Sequence, residues 1–245
     1  INMSCIFASC RYLNKINFCN FRSKNLIDMR YMFSECSSLE ELFIKNFNTN
    51  NEIIMDNIFY KCSSLKLLII SNFTNNCIKS MNPFFSEIKY LKRLIIFDFN
   101  ANNITDMSHI FRGCSSLKEI CISNFNVNNL SNINYIFSGC TSLQKLHISK
   151  FNANNLSNIN YMFYDCSTLK ELNISNFNIN KVNNMKNMFS ECKSLEKINI
   201  SDFNANNLTD MSYMFSECLS LKELYLSNFN ANNLTDMSYM FNKCS

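Results

Sequence analysis

The chain predicts an α/β solenoid built from 26-residue repeats, and three columns of residues predict it. Cysteine recurs at every twenty-sixth position from Cys10 through Cys36, Cys62, Cys114, Cys140, Cys166, Cys192, Cys218 and Cys244, with Ile88 as the one substitution. Phenylalanine stands three residues earlier without exception, at Phe7, Phe33, Phe59, Phe85, Phe111, Phe137, Phe163, Phe189, Phe215 and Phe241. A second phenylalanine column runs through Phe21, Phe47, Phe73, Phe99, Phe125, Phe151, Phe177, Phe203 and Phe229. A fixed period in the range of roughly 20–50 residues marks a solenoid, in which each unit buries its apolar face against its neighbours.

Within one repeat the elements follow in order. Leu195, Ile198 and Ile200 form an LxxLxI pattern whose last two positions alternate, as one face of a short strand requires. Phe203 comes next, then an Asn-rich turn (Asn204, Ala205, Asn206, Asn207) and Leu208. Met211, Met214, Phe215 and Cys218 fall at i, i+3, i+4 and i+7, the stripe of a short helix, with Thr209 placed as its N-cap and Asp210 in its first turn. The expected architecture is a parallel concave sheet with short convex helices. One array fills residues 1–245 with about nine and a half repeats, and neither end shows a polar capping unit, so an excerpt of a longer chain is expected.

Composition narrows the function classes. Two glycines and one proline in 245 residues are too few for a turn-rich sandwich, so the turns must rest on Asn, Ser and Asp. A net charge of +4 is spread along the repeats and offers nucleic acid no basic footprint. No apolar run reaches the roughly 18 residues of a membrane span, and no signal peptide is visible. Phosphate loops, nucleophile elbows and metal motifs are not found, so neither catalysis nor a cofactor is expected. His109 and His147 lie on different elements, and cysteines 26 apart do not match zinc-ligand spacing. The column favours small buried thiols, although bonds between stacked turns with Cα atoms about 5 Å apart are sterically conceivable. Cys121, on the outward side of its strand, is the best candidate for a reactive or pairing thiol. Sequons recur at Asn103, Asn129, Asn155, Asn207 and Asn233, as an Asn/Ser/Thr-rich repeat generates by copying.

The string NNLTDMSYMFSECLSLKELYLSNFN, from Asn206 to Asn230, resembles the BspA-like leucine-rich repeats. More narrowly it resembles the subtype described in Mycoplasma lipoprotein-associated proteins. The resemblance covers essentially the whole chain and implies a leucine-rich-repeat solenoid, usually a surface protein of mucosal bacteria or protists that mediates adhesion. Phe203 and its equivalents depart from the ordinary repeat, standing where a buried asparagine ladder is expected.

Columns that vary from repeat to repeat carry the functional expectation. The outward column Asn17, Phe43, Ile69, Ile95, Cys121, His147, Asn173, Asn199, Tyr225 is apolar early and polar late. With Leu67 and Phe97, the residues Phe43, Ile69 and Ile95 form an apolar patch on three adjacent strands, the expected binding site for a protein or a glycan. The same region holds the least regular repeat, with Pro83, Phe84, Ile88 and Tyr90 in place of consensus residues. Beside the patch, Arg93, Glu119, Lys145, Glu171, Lys197 and Glu223 alternate in sign, so that each charge is expected to meet opposite charges on both sides. A non-enzymatic surface or secreted adhesin is the expected function, with an intracellular, cytoplasmic interaction scaffold as the alternative.

Overall fold

The computed structural model describes residues 1–81, 88–174, 177–201 and 205–244. Pro83, Phe84, Phe85, Phe203 and Asn204 lie outside the described residues. The chain is a parallel β-solenoid. Its strands are β1 (Lys15–Cys19), β2 (Arg22–Ser23), β3 (Glu41–Thr49), β4 (Leu67–Thr74), β5 (Arg93–Asn100), β6 (Glu119–Asn126), β7 (Lys145–Asn152), β8 (Glu171–Asn173), β9 (Lys197–Asn199) and β10 (Glu223–Tyr225). They form a seven-stranded sheet in the order β1-β3-β4-β5-β6-β7, with β2 against β3, and a three-stranded sheet β8-β9-β10. Every pair is parallel with a register of one repeat, for example Leu68↔Leu94 and Ile120↔Leu146. Leu42, Ile44, Leu68, Ile70, Leu94, Ile96, Ile120 and Ile122 alternate into a core that runs the length of the array.

Opposite the sheet, the expected helices do not form: the described residues contain no helix. The stripe Met211, Met214, Phe215, Cys218 is buried as expected, but tandem turns present it. The reason lies in where the amides point. Ile133, Tyr135, Phe137 and Gly139 donate to the carbonyls of Asn158, Asn160, Met162 and Tyr164, each twenty-five residues on in the next coil. The N–H groups between them close turns on their own coil, Ile136 to Ile133, Ser138 to Tyr135 and Cys140 to Phe137. An α-helix needs every N–H for the carbonyl four residues back, and here alternate ones are committed to the neighbour. Left-handed residues enforce the pattern: Tyr135 (φ 55°) and Gly139 (φ 72°) hold the third turn position, where a type II turn requires positive φ. Thr209 is accordingly no N-cap; its hydroxyl donates to the Asn183 carbonyl of the preceding coil, and the Asp210 carboxylate accepts the Ser212 N–H two residues along.

Most left-handed positions carry ordinary side chains, at a cost of about 1–2 kcal/mol each. Stacking offsets part of it. His109, Tyr135 and Tyr161 stack at 4.7 and 4.5 Å between centroids, and Tyr213 stacks on Tyr239 at 4.9 Å. A third left-handed column, Asn20, Asn46, Asn72, Asp98, Asn124 and Lys150, follows β1 directly and lies inside β3 to β7 near their ends. Its side chains bond from coil to coil, Asn46 to Asn20 at 2.6 Å, Asn72 to Asn46 at 2.7 Å and Asn124 to Asp98 at 2.7 Å. A polar ladder therefore exists beside the phenylalanines that displace the buried one.

Both phenylalanine columns are continuous stacks where described. Phe111, Phe137, Phe163, Phe189 and Phe215 follow one another at 5.5–5.7 Å, and Phe47, Phe73, Phe99 and Phe125 at 4.6–5.1 Å. The in-register thiols are more than filler. Cys140 donates its S–H to the Phe111 carbonyl at 3.3 Å, Cys166 to Phe137 at 3.2 Å and Cys192 to Phe163 at 3.1 Å, each into the coil before. The Phe137 carbonyl accepts from both Cys140 N–H and Cys166 S–H, which uses its two lone pairs.

Two outcomes are expected. Phe137→Ala leaves a void between two stacked rings and should cost about 3–5 kcal/mol, read as a lowered urea midpoint; a change under about 1 kcal/mol contradicts the stack. The second concerns alkaline pH. Burial pushes the thiols of Cys62, Cys114 and Cys218 up to about 12, and those of Cys140, Cys166 and Cys192 well up. Below about pH 9 both states keep the proton and the ladder contributes in full. From there towards pH 12 the unfolded chain loses protons that the folded one holds. Stability should fall by about 1.4 kcal/mol per pH unit for each such thiol, whereas a flat urea-midpoint series between about pH 8 and 10.5 contradicts the buried ladder.

Candidate functional site

Register fixes the geometry of the sheet face. Phe43, Ile69 and Ile95 lie in one row across β3, β4 and β5. Leu67 precedes Ile69 by two residues, and Phe97 follows Ile95 by two. All five side chains are half-buried and point away from the core, because their strand neighbours Leu42, Ile44, Leu68, Ile70, Leu94 and Ile96 fill it. The structure therefore brings the five together as a continuous apolar surface. Charge rims it: the amines of Lys15 and Lys45 sit 4.9 and 5.3 Å from the Phe43 ring centroid, and Lys15 pairs with Glu41 at 2.8 Å. Tyr90 lies exposed beyond, while Ile88 is buried in the cysteine column.

The alternating charged row is only partly closed. Arg93 pairs with Glu119 at 2.9 Å and Lys197 with Glu223 at 3.1 Å. Lys145 and Glu171 make no ion pair among the described residues, either with each other or with Glu119 and Lys197 on the strands they pair with, and among the described residues β7 and β8 are not paired. At the other described junctions, the two amides entering a strand share one carbonyl of the preceding coil. Gln144 and Lys145 bond to Lys118, Glu196 and Lys197 to Lys170, and Lys222 and Glu223 to Glu196. The matching pair, Lys170 and Glu171 onto Gln144, is not made. The result is a slit that opens into a cleft of about 850 Å³ on the sheet face. Lys145, His147 and Ser149 line one side, Glu171 and Asn173 the other, and Lys197, Asn199 and Tyr225 the floor beyond.

Local departures flank the slit. Before it, the Thr168 hydroxyl lies within hydrogen-bonding distance of the Thr141 and Leu143 carbonyls, at 2.8 and 2.9 Å. After it, Lys150 stands in the asparagine column and offers the next coil no acceptor. The stack survives beyond, with Phe151 and Phe177 at 5.2 Å. Sequence reasoning missed this cleft, and Lys150 was the signal that could have found it.

Other expected features resolve differently. Cys121 is half-buried and its thiol contacts a Glu119 oxygen at 3.6 Å; burial and that carboxylate push its pKa up, which disfavours the thiolate. The more exposed thiols are Cys5 and Cys19. Off-register Cys77 substitutes for a turn asparagine, donating to the Asn50 carbonyl at 2.7 Å. Three sequon asparagines do the same work, Asn155 toward Asn128, Asn207 toward Asn180 and Asn233 toward Asn206. Their amide nitrogens hold adjacent coils together, which accounts for the motif without a glycan. Among the described residues no helix is long and apolar enough to cross a membrane.

No curated protein matches the chain. Among solved structures it is similar to a leucine-rich repeat protein from Eubacterium ventriosum, at 17% identity and a TM-score of 0.42, over 94% of this chain and 64% of that one. It is also similar to a leucine rich cell surface protein from Faecalibacterium prausnitzii, at 16% identity and a TM-score of 0.37, over 90% and 75%. The chain spans less than two thirds of the length of the first of these. One family model matches residues 1–95, 79–172 and 164–245, which tile the array from end to end, and the chain belongs to that family, described as Mycoplasma protein of unknown function, DUF285.

Proposed function

We propose that this chain is a non-enzymatic binding module, displayed at a cell surface, whose sheet face takes a protein partner through Phe43, Leu67, Ile69, Ile95 and Phe97. One observation carries the reading: five half-exposed apolar side chains adjoin on three paired strands whose core-facing sides are already filled. Burying such a patch is worth roughly 25 cal/mol per Å² of apolar surface, and a charged rim adds orientation more than affinity. The apolar chemistry favours a protein over a glycan at this position. Surface display and adhesion rest on the resemblance of the repeat motif to BspA-like proteins.

A second reading, an intracellular scaffold on the same sheet, has its own support. The S–H groups of Cys140, Cys166 and Cys192 donate hydrogen bonds only while reduced, and a reducing compartment maintains that state.

The test uses the full chain and the double variant Ile69→Lys/Ile95→Lys, labelled and titrated onto intact epithelial cells. Both positions are half-exposed, so the variant should keep the parent's urea midpoint within about 1 kcal/mol. The expected result is saturable binding by the parent and a loss of roughly tenfold or more in the variant. Equal binding by the two, or none by the parent, would contradict the proposal. Protease treatment of intact source cells separates the two readings: cleavage of the array while a cytosolic control survives supports display, and protection until lysis supports the scaffold.

A further inference from the structure

The turn that leads from the cysteine column into each strand carries two small hydroxyl residues in most coils, as at Ser37 and Ser38, Ser63 and Ser64, and Ser115 and Ser116. At two places, three coils apart, a cation followed by a tyrosine stands there instead: Arg11 with Tyr12, and Lys89 with Tyr90. No other coil has that pairing. Stacked coils repeat about every 4.8 Å, so the two substituted turns stand roughly 14 Å apart with two serine turns between them.

Long side chains at both ends and small ones between make a trough. It encloses about 640 Å³, with Arg11 at one end, Lys89 and Tyr90 at the other, and Ser37 and Ser63 between. That volume is ordinary for a ligand site. Glu35 and Lys61 also line it, so the described lining carries three cations and one carboxylate. Glu35 is engaged by Lys61 at 3.1 Å and by Arg11 at 3.9 Å. Lys89 makes no ion pair among the described residues and keeps its charge for a ligand.

The rest of the lining narrows the ligand. The Ser37 and Ser63 N–H groups donate to the Glu35 and Lys61 carbonyls at 2.8 and 2.9 Å, which leaves exposed hydroxyls rather than a main-chain edge between the two ends. Tyr90 is 56% exposed and Tyr12 99%, and neither stacks on another ring among the described residues. A sugar ring matches this set: its C–H face packs on an aromatic face, its hydroxyls exchange hydrogen bonds with serine, and a carboxylate or sulfate on it takes the cations. An acidic peptide would satisfy the cations alone, since the trough offers neither a free strand edge nor an apolar pocket.

We propose that this trough binds an acidic oligosaccharide, whose anionic groups are taken by Arg11 and Lys89 at its ends and whose rings pack on Tyr12 and Tyr90. The site uses none of the sheet-face patch residues, and it stands whether or not that patch binds a protein.

The test uses the full chain and a fluorescent chondroitin sulfate tetrasaccharide, which carries both carboxylates and sulfates, read by anisotropy. Binding should be saturable and should weaken severalfold as salt rises from about 0.02 to about 0.2 M, because the cations are exposed. The variant Arg11→Ser/Lys89→Ser restores the repeat's own residue at two exposed positions, so it should keep the parent's urea midpoint. It should bind roughly fivefold more weakly or worse and lose most of the salt dependence. Tyr90→Ser should weaken binding severalfold with the salt dependence intact, which separates ring packing from charge. Four outcomes would overturn the proposal: no saturable binding of the tetrasaccharide, equal binding of neutral chitotetraose, equal binding of a tetraglutamate peptide, or unchanged affinity in Arg11→Ser/Lys89→Ser.

Discussion

Each coil is held by amides that point out of it. Along the turn side of the array alternate N–H groups reach the next coil, as Ile133, Tyr135, Phe137 and Gly139 do, and those between them close turns at home. Most other features answer to that division. It requires a left-handed residue about every fourth position, which explains the φ of Tyr213 and Glu217 as well as Tyr135 and Gly139. It holds side chains of one column in register from coil to coil, so phenylalanine rings stack and thiols find the carbonyl of the coil before. It also makes stability a sum over neighbouring interfaces, in which a defect at one junction leaves the others standing.

The interrupted sheet illustrates that last point. Among the described residues β7 and β8 do not pair, while the turn side runs on through Asn158↔Asn184 and the ring stack through Phe151 and Phe177. The sheet face is thereby divided in two. Its early half presents Phe43, Ile69 and Ile95 over a filled core, and its late half presents His147, Asn173, Asn199 and Tyr225 around an opening.

Much of this was legible from residues 1–245. The 26-residue period gave the solenoid, the LxxLxI pattern placed the strands, and the outward columns placed the five patch residues on neighbouring strands in the register observed. The helices were misread for a physical reason. Apolar residues at Met211, Met214, Phe215 and Cys218 report which side chains face the core, and tandem turns can turn the same four inward. Periodicity says nothing about whether an amide bonds four residues back or twenty-five residues on. The slit was harder still, since ELNISNFN at β8 scarcely differs from EICISNFN at β6, which pairs on both sides. Only Lys150 in a column of asparagines, and Thr168 in a column of mostly serines, marked the junction.

The account stands on alternate amides being committed to the neighbouring coil, and far-UV circular dichroism of the full chain tests it most directly. A β-type spectrum with a single minimum near 215–218 nm and no distinct 208/222 nm pair is expected, because no segment of the described coils carries successive four-back hydrogen bonds. A pronounced helical double minimum would mean that the segments around Met211–Cys218 are helices after all, and the inter-coil bonding that supports the stacks, the thiol ladder and the slit would have to be abandoned.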